Sequence, residues 1–66
     1  MQVWINGKSS ELADDARVPD ALVLLGLPAT GVAVAVDGVV VPRAAWAATT
    51  LADGARVEVL TAVQGG

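Results

Sequence analysis

The run Gly31-Val32-Ala33-Val34-Ala35-Val36-Asp37-Gly38-Val39-Val40-Val41-Pro42 decides the fold. Valine recurs at every second place from 32 to 36, the period of a strand whose successive side chains point to opposite faces. Asp37-Gly38 tolerates positive φ at both positions and so closes a two-residue hairpin. Val39-Val40-Val41 returns. Pro42 has no N–H to give a ladder, so it ends that strand or marks a sheet edge.

Toward the N-terminus, Gly26 and Pro28 read as the stop of a helix, one as a left-handed cap and the other as a block. The helix starts near Pro19, whose missing N–H costs nothing in the first turn. Asp20 puts negative charge at the positive end of the dipole. Leu22 and Leu25 share a face with Val18 and Ala21. Ala13-Asp14-Asp15-Ala16 is a loop. Before it, Val3-Trp4-Ile5 is strand-prone, Asn6-Gly7 is a second hairpin signal, and Lys8-Ser9-Ser10-Glu11-Leu12 returns with the polarity of an edge strand.

Toward the C-terminus, Arg43 to Ala52 reads as a loop with a short helical turn around Trp46. Asp53-Gly54 is a third turn. Arg56-Val57-Glu58-Val59-Leu60-Thr61-Ala62 is the last strand, and Val63-Gln64-Gly65-Gly66 follows it. The order β-β-α-β-β-β with one main helix is an α+β roll. Residues 1–62 form the domain and residues 63–66 a flexible C-terminal tail.

Alternation assigns the faces. Val3, Ile5, Val32, Val34, Val36, Val57 and Val59 meet the helix. Trp4, Ala33, Ala35, Leu60 and Ala62 point the other way, where no helix remains. That face is expected to be flat, apolar and exposed, the mark of a partner surface. The alternative is that loop 43–52 folds over part of it. Trp4 divides evenly between partner contact and ordinary packing, whereas Trp46 is expected to pin the long loop onto the sheet.

Composition narrows the function. The 66 residues contain no Cys and no His, which removes disulfides, thiolate metal sites, the cysteine nucleophile and the usual general base. Asp14, Asp15 and Asp20 lack the spacing and ligand count of a calcium loop, so no metal site is expected. Arg43 reads as a solvated surface residue. A net charge of −3 argues against nucleic-acid binding, which needs a basic footprint. No basic region leads a long apolar core at the N-terminus, and no apolar stretch is long enough for a bilayer. The expectation is a soluble cytoplasmic protein that does not act as an enzyme.

The tail is the most informative end of the chain. Glycine lacks a Cβ, so a terminal pair threads a narrow cleft that other residues cannot enter. The useful group is then the α-carboxylate of Gly66.

These features together carry a family resemblance. Gly31 through Arg43, then Trp46, then Leu51-Ala52-Asp53-Gly54-Ala55-Arg56-Val57-Glu58-Val59 and Gln64-Gly65-Gly66 resemble the ThiS sulfur carriers of thiamine biosynthesis. The most specific parts are Val41-Pro42-Arg43 followed by Trp46, and Asp53-Gly54 ahead of a strand that ends in diglycine. One residue departs from the family pattern: Asp37 stands where Asn is more common, and either supports the turn.

The resemblance implies a β-grasp, or ubiquitin-like, fold with a mixed sheet of about four to five strands. It also implies that a ThiF-type activating enzyme adenylates Gly66 with ATP and Mg²⁺, the carrier itself binding no cofactor. Sulfur from a cysteine desulfurase or another donor then forms a thiocarboxylate, and thiazole synthase, ThiG, accepts it. Val63, Gln64 and Gly65 would thread the partner's cleft. Rival readings are a molybdopterin synthase small subunit, a ubiquitin-like protein modifier, and a binding module whose diglycine is incidental.

Overall fold

The computed structural model describes residues 1–28 and 30–61. In chain order the elements are β1 (Gln2–Ile5), β2 (Lys8–Glu11), α1 (Val18–Leu25), β3 (Val32–Val36), β4 (Val39–Val41), a six-residue 3₁₀ segment (Arg43–Ala48) and β5 (Arg56–Thr61). The expected order is thus found, and the helix begins one residue earlier than Pro19. The strands form one mixed sheet in the order β2-β1-β5-β3-β4. The first and last strands run parallel at its centre, with Trp4 opposite Arg56 and Ile5 opposite Val57. Every other pairing is antiparallel. This is the mixed-sheet, single-helix β-grasp arrangement.

Both predicted hairpins close on positive φ: Asn6 at 52° with Gly7 at 80°, and Asp37 at 51° with Gly38 at 83°. Each turn residue also reaches β5. The Asn6 amide accepts from the Val59 N–H (2.8 Å) and donates from Nδ2 to the Val59 carbonyl (3.2 Å). One side chain thereby continues the β1–β5 ladder past the end of β1. On the other flank, Asp37 Oδ1 accepts from the Arg56 N–H at 2.9 Å, and the Asp37 N–H donates to the Arg56 carbonyl at 2.8 Å.

Helix α1 starts with Pro19 in its first turn. Arg17 occupies the cap position without an acceptor of its own. Asp20 supplies one, taking the Arg17 N–H at 2.7 Å, while the Arg17 guanidinium donates to the Ala47 carbonyl at 3.0 Å. Gly26 ends the helix at φ 70°. The buried face is Val18, Ala21 and Leu22; Leu25, expected on the same face, is exposed. It lies in the last turn, one residue before the chain turns away at Gly26.

The core lies between α1 and one sheet face: Val3, Ile5, Val34, Val57 and Val59 are buried against Val18, Ala21 and Leu22, with Val32 and Val36 partly buried beside them. Burying a side chain of this size contributes about 1.5–3 kcal/mol. Trp46 closes one side of this core. It is 5% exposed, and its indole N–H donates to the Val41 carbonyl at 2.9 Å. The following segment runs past the helix start, where Val18 N–H donates to Thr49 O (3.2 Å) and Leu51 N–H to Ala16 O (3.0 Å). Trp46 therefore pins the loop, as expected, and pins it on the helix side.

Candidate functional site

The opposite sheet face carries the candidate site. Outward side chains on β5 are Arg56, Glu58 and Leu60, which alternate with buried Val57 and Val59. Ladder register places Trp4 beside Arg56, Ala35 beside both Glu58 and Val40, and Ala33 beside Leu60. Trp4 is 46% exposed and Leu60 70%. Val40 and Ala33 are exposed as well, and Ala35 is half-buried. Because residues 43–52 lie on the helix side, among the described residues no segment covers this face.

Sequence reasoning located Trp4, Ala33, Ala35 and Leu60 here, and the structure brings them onto one surface. It missed three residues. Val40 belongs to the patch through its pairing with Ala35, and Arg56 and Glu58 occupy the middle of it. Strict alternation from Leu60 back along β5 was the signal for the two charges. The face is therefore apolar around two opposite charges, and not uniformly apolar as expected. Toward the β2 edge it becomes polar, where the Ser9 hydroxyl donates to Gln2 Oε1. Ala62, Val63, Gln64, Gly65 and Gly66 lie outside the described residues.

Depressions mark the face. One of about 410 Å³ is lined by Trp4, Gly7, Arg56, Val57 and Glu58. A smaller one of about 120 Å³ lies among Ala33, Ala35, Val40, Glu58 and Leu60. Glu58 is common to both.

Several acidic residues elsewhere have local tasks. Glu11 Oε2 and Asp14 Oδ1 accept from the Met1 ammonium at 2.8 and 3.1 Å, and the Leu12 carbonyl accepts from it at 2.6 Å. The bonds to Glu11 and then Asp14 hold the ammonium pKa above its ordinary value of 8.0. Asp20 caps the helix. Among the described residues no cluster of His, Cys, Asp or Glu is arranged to hold a metal. Arg43 is exposed. No helix among the described residues is long and apolar enough to cross a membrane.

Known proteins bear on this geometry. The ThiS family model matches residues 3–66. The crystal structure of the thiamine biosynthesis protein ThiS from Geobacter metallireducens is 36% identical, with a TM-score of 0.82 and complete coverage of both chains. A solution structure of a thiamine biosynthesis protein from the same organism is 38% identical, with a TM-score of 0.80, covering 100% of this chain and 88% of that one. Among curated proteins, none matches. A family match running from β1 to the final glycine, together with this end-to-end likeness in three dimensions, places the chain in the ThiS family, the non-catalytic β-grasp sulfur carriers of thiamine biosynthesis.

Proposed function

We propose that the sulfur-bearing group is the α-carboxylate of Gly66, and that residues 63–66 serve as the arm that delivers it. The family match through residue 66, in a chain ending Gln64-Gly65-Gly66, carries this reading. A free carboxylate is a poor acyl donor. A ThiF-type activating enzyme, using ATP and Mg²⁺, would convert it to an acyl adenylate and release pyrophosphate. A sulfur nucleophile then breaks the acyl–AMP bond and forms a C–S bond. With a persulfide donor, such as that of a cysteine desulfurase, a thiol reductant cleaves the remaining S–S bond to free the thiocarboxylate. Thiazole synthase, ThiG, takes that sulfur into the thiazole ring. The proposed dependence on ATP supports a cytoplasmic location.

This chain contributes two things. One is a carboxylate on residues without a Cβ, which a narrow cleft admits. The other is the exposed face of Trp4, Ala33, Ala35, Val40 and Leu60, with Ala62 following in sequence, as the docking surface. β5 lies at the middle of that surface and leads directly into the arm, so docking the face aims the carboxylate. Ordering the arm costs about 1–2 kcal/mol per fixed residue, which binding of the face would offset.

Intact mass after incubation with the activating enzyme, ATP and a sulfur donor tests the reading. A gain matching replacement of one oxygen by sulfur, mapped to Gly66 and lost on adding thiazole synthase with its substrates, is the expected result. Gly65→Ala and Gly66→Ala should fold normally and fail to be charged or discharged. Normal turnover of either variant would sink the role given to the glycines. Conjugates stable on denaturing gels would favour a protein modifier.

A further inference from the structure

We infer that Arg56 and Glu58 select the partner of the docking face. They fit a protein surface that presents a carboxylate opposite Arg56 and a basic group opposite Glu58, within an otherwise apolar contact. The inference rests on the carrier reading above and adds the chemistry of the partner.

Four observations carry it. The two charges stand at outward positions of the central strand: Arg56 opens it beside Trp4 of β1, and Glu58 lies beside Ala35 of β3. Their Cα atoms are roughly 7 Å apart by strand geometry, yet the only ion pairs among the described residues are those of the Met1 ammonium. Both charges therefore remain available. Trp4 borders Arg56, while Ala35 and Leu60 border Glu58, so a partner that covers the apolar residues must also cover the charges. Finally, Glu58 lines both the depression beside Trp4 and Arg56 and the one among Ala33, Ala35, Val40 and Leu60, so a group entering either one meets its carboxylate.

A covered charge without a counter-charge is costly, and a like charge opposite it is worse. An apolar partner face alone would be penalised, whereas one with opposite charges in the matching order is favoured. The order gives direction along β5: positive first, then negative, then Leu60 toward the arm. A partner docked the wrong way round would set like against like. The charges thus oppose reversed docking, which would point the arm away from the cleft.

The test uses the full chain and a ThiF-type activating enzyme, with adenylation followed by pyrophosphate release. Arg56→Glu, Glu58→Arg and the double swap are compared with wild type. Both side chains are exposed, so all three variants should melt as wild type does. The single reversals should raise the KM for the carrier by about tenfold or more and leave kcat within about twofold. The double swap has the same net charge in the wrong order and should be as poor as the singles. Recovery of the double swap would overturn the directional part, since net charge alone would then suffice. Unchanged KM in both single variants, with wild type charged normally, would overturn the inference and leave the carrier reading standing. No charging of wild type by an enzyme active on another carrier would overturn both.

Discussion

Val57 and Val59 are 1% and 5% exposed, while Leu60, the next residue of the same strand, is 70% exposed. The contrast extends across the sheet. One face packs valines and Ile5 against α1; the other presents Trp4, Leu60, Arg56 and Glu58 to solvent. Both are built from strands of similar residue types, so strand propensity does not separate them. The single helix does. With only one, a sheet of this kind has one face to hold it together and one left over, and in a carrier the second is where a partner can act. On the proposed docking, stability and recognition fall to alternate residues of the same strands, and substitutions should separate them.

The largest effect is expected inside. Ile5→Ala should cost about 2–5 kcal/mol, a large share of the stability of so small a domain, read as a fall in the urea midpoint. Leu60→Ala, one strand away on the other face, should change stability by no more than about 0.5 kcal/mol while raising the KM for the activating enzyme. Equal destabilisation by the two would break the contrast.

Next comes the pair of turns, which separates residues of similar backbone. Asn6→Asp removes the donor to the Val59 carbonyl and sets a carboxylate against it, at a cost of about 1–3 kcal/mol. Asp37→Asn keeps an acceptor for the Arg56 N–H and should stay within about 0.5 kcal/mol. Thermal melts of both would decide whether Asn6 is a ladder rung or only a turn residue. Trp46→Phe should cost about 1 kcal/mol through its lost bond to Val41; no loss would mean that packing alone holds the loop.

The smallest effect is electrostatic. The Met1 ammonium has its pKa raised by Glu11 and Asp14. A raised folded-state pKa gives stability that is fully present below the ordinary value of 8.0 and is lost as pH rises through the folded value. The melting temperature of a chain starting at Met1 should therefore drift down above pH 8, and Glu11→Gln should flatten that drift. An unchanged drift in the variant would assign it to other groups.

Local signals made most of the fold legible. Asn6-Gly7 and Asp37-Gly38 fixed two hairpins because few residues tolerate their backbone. Pro19 and Gly26 bracketed the helix, and valine spacing separated the faces. What escaped had no local signature. The Asn6 amide bonds Val59, 53 residues away, and no window of sequence holds both. Leu25 fits the apolar spacing but lies where the helix ends and the core no longer reaches. Side of the sheet was equally invisible for the long loop, because a buried Trp46 is compatible with either. In the candidate site, Trp4, Ala33, Ala35 and Leu60 were legible by parity, whereas Val40 sits in an unbroken valine run with no alternation to read. Arg56 and Glu58 were legible by parity too, yet polar residues on a strand draw attention only once the bare face is seen around them.

The parallel pairing of β1 with β5 has a consequence for how the protein is made. Its central seam joins residues far apart in sequence, Trp4 with Arg56, a pairing that is intrinsically slow to form. A nascent chain released or cleaved before residue 56 has no strand to fill the gap between β1 and β3. It therefore lacks the middle of the face on which Arg56, Glu58 and Leu60 stand. Synthesis to within a few residues of Gly66 thus becomes a condition for showing that surface at all. An activating enzyme that grips the face would spend no ATP on truncated chains, a form of quality control by architecture with no separate inspector.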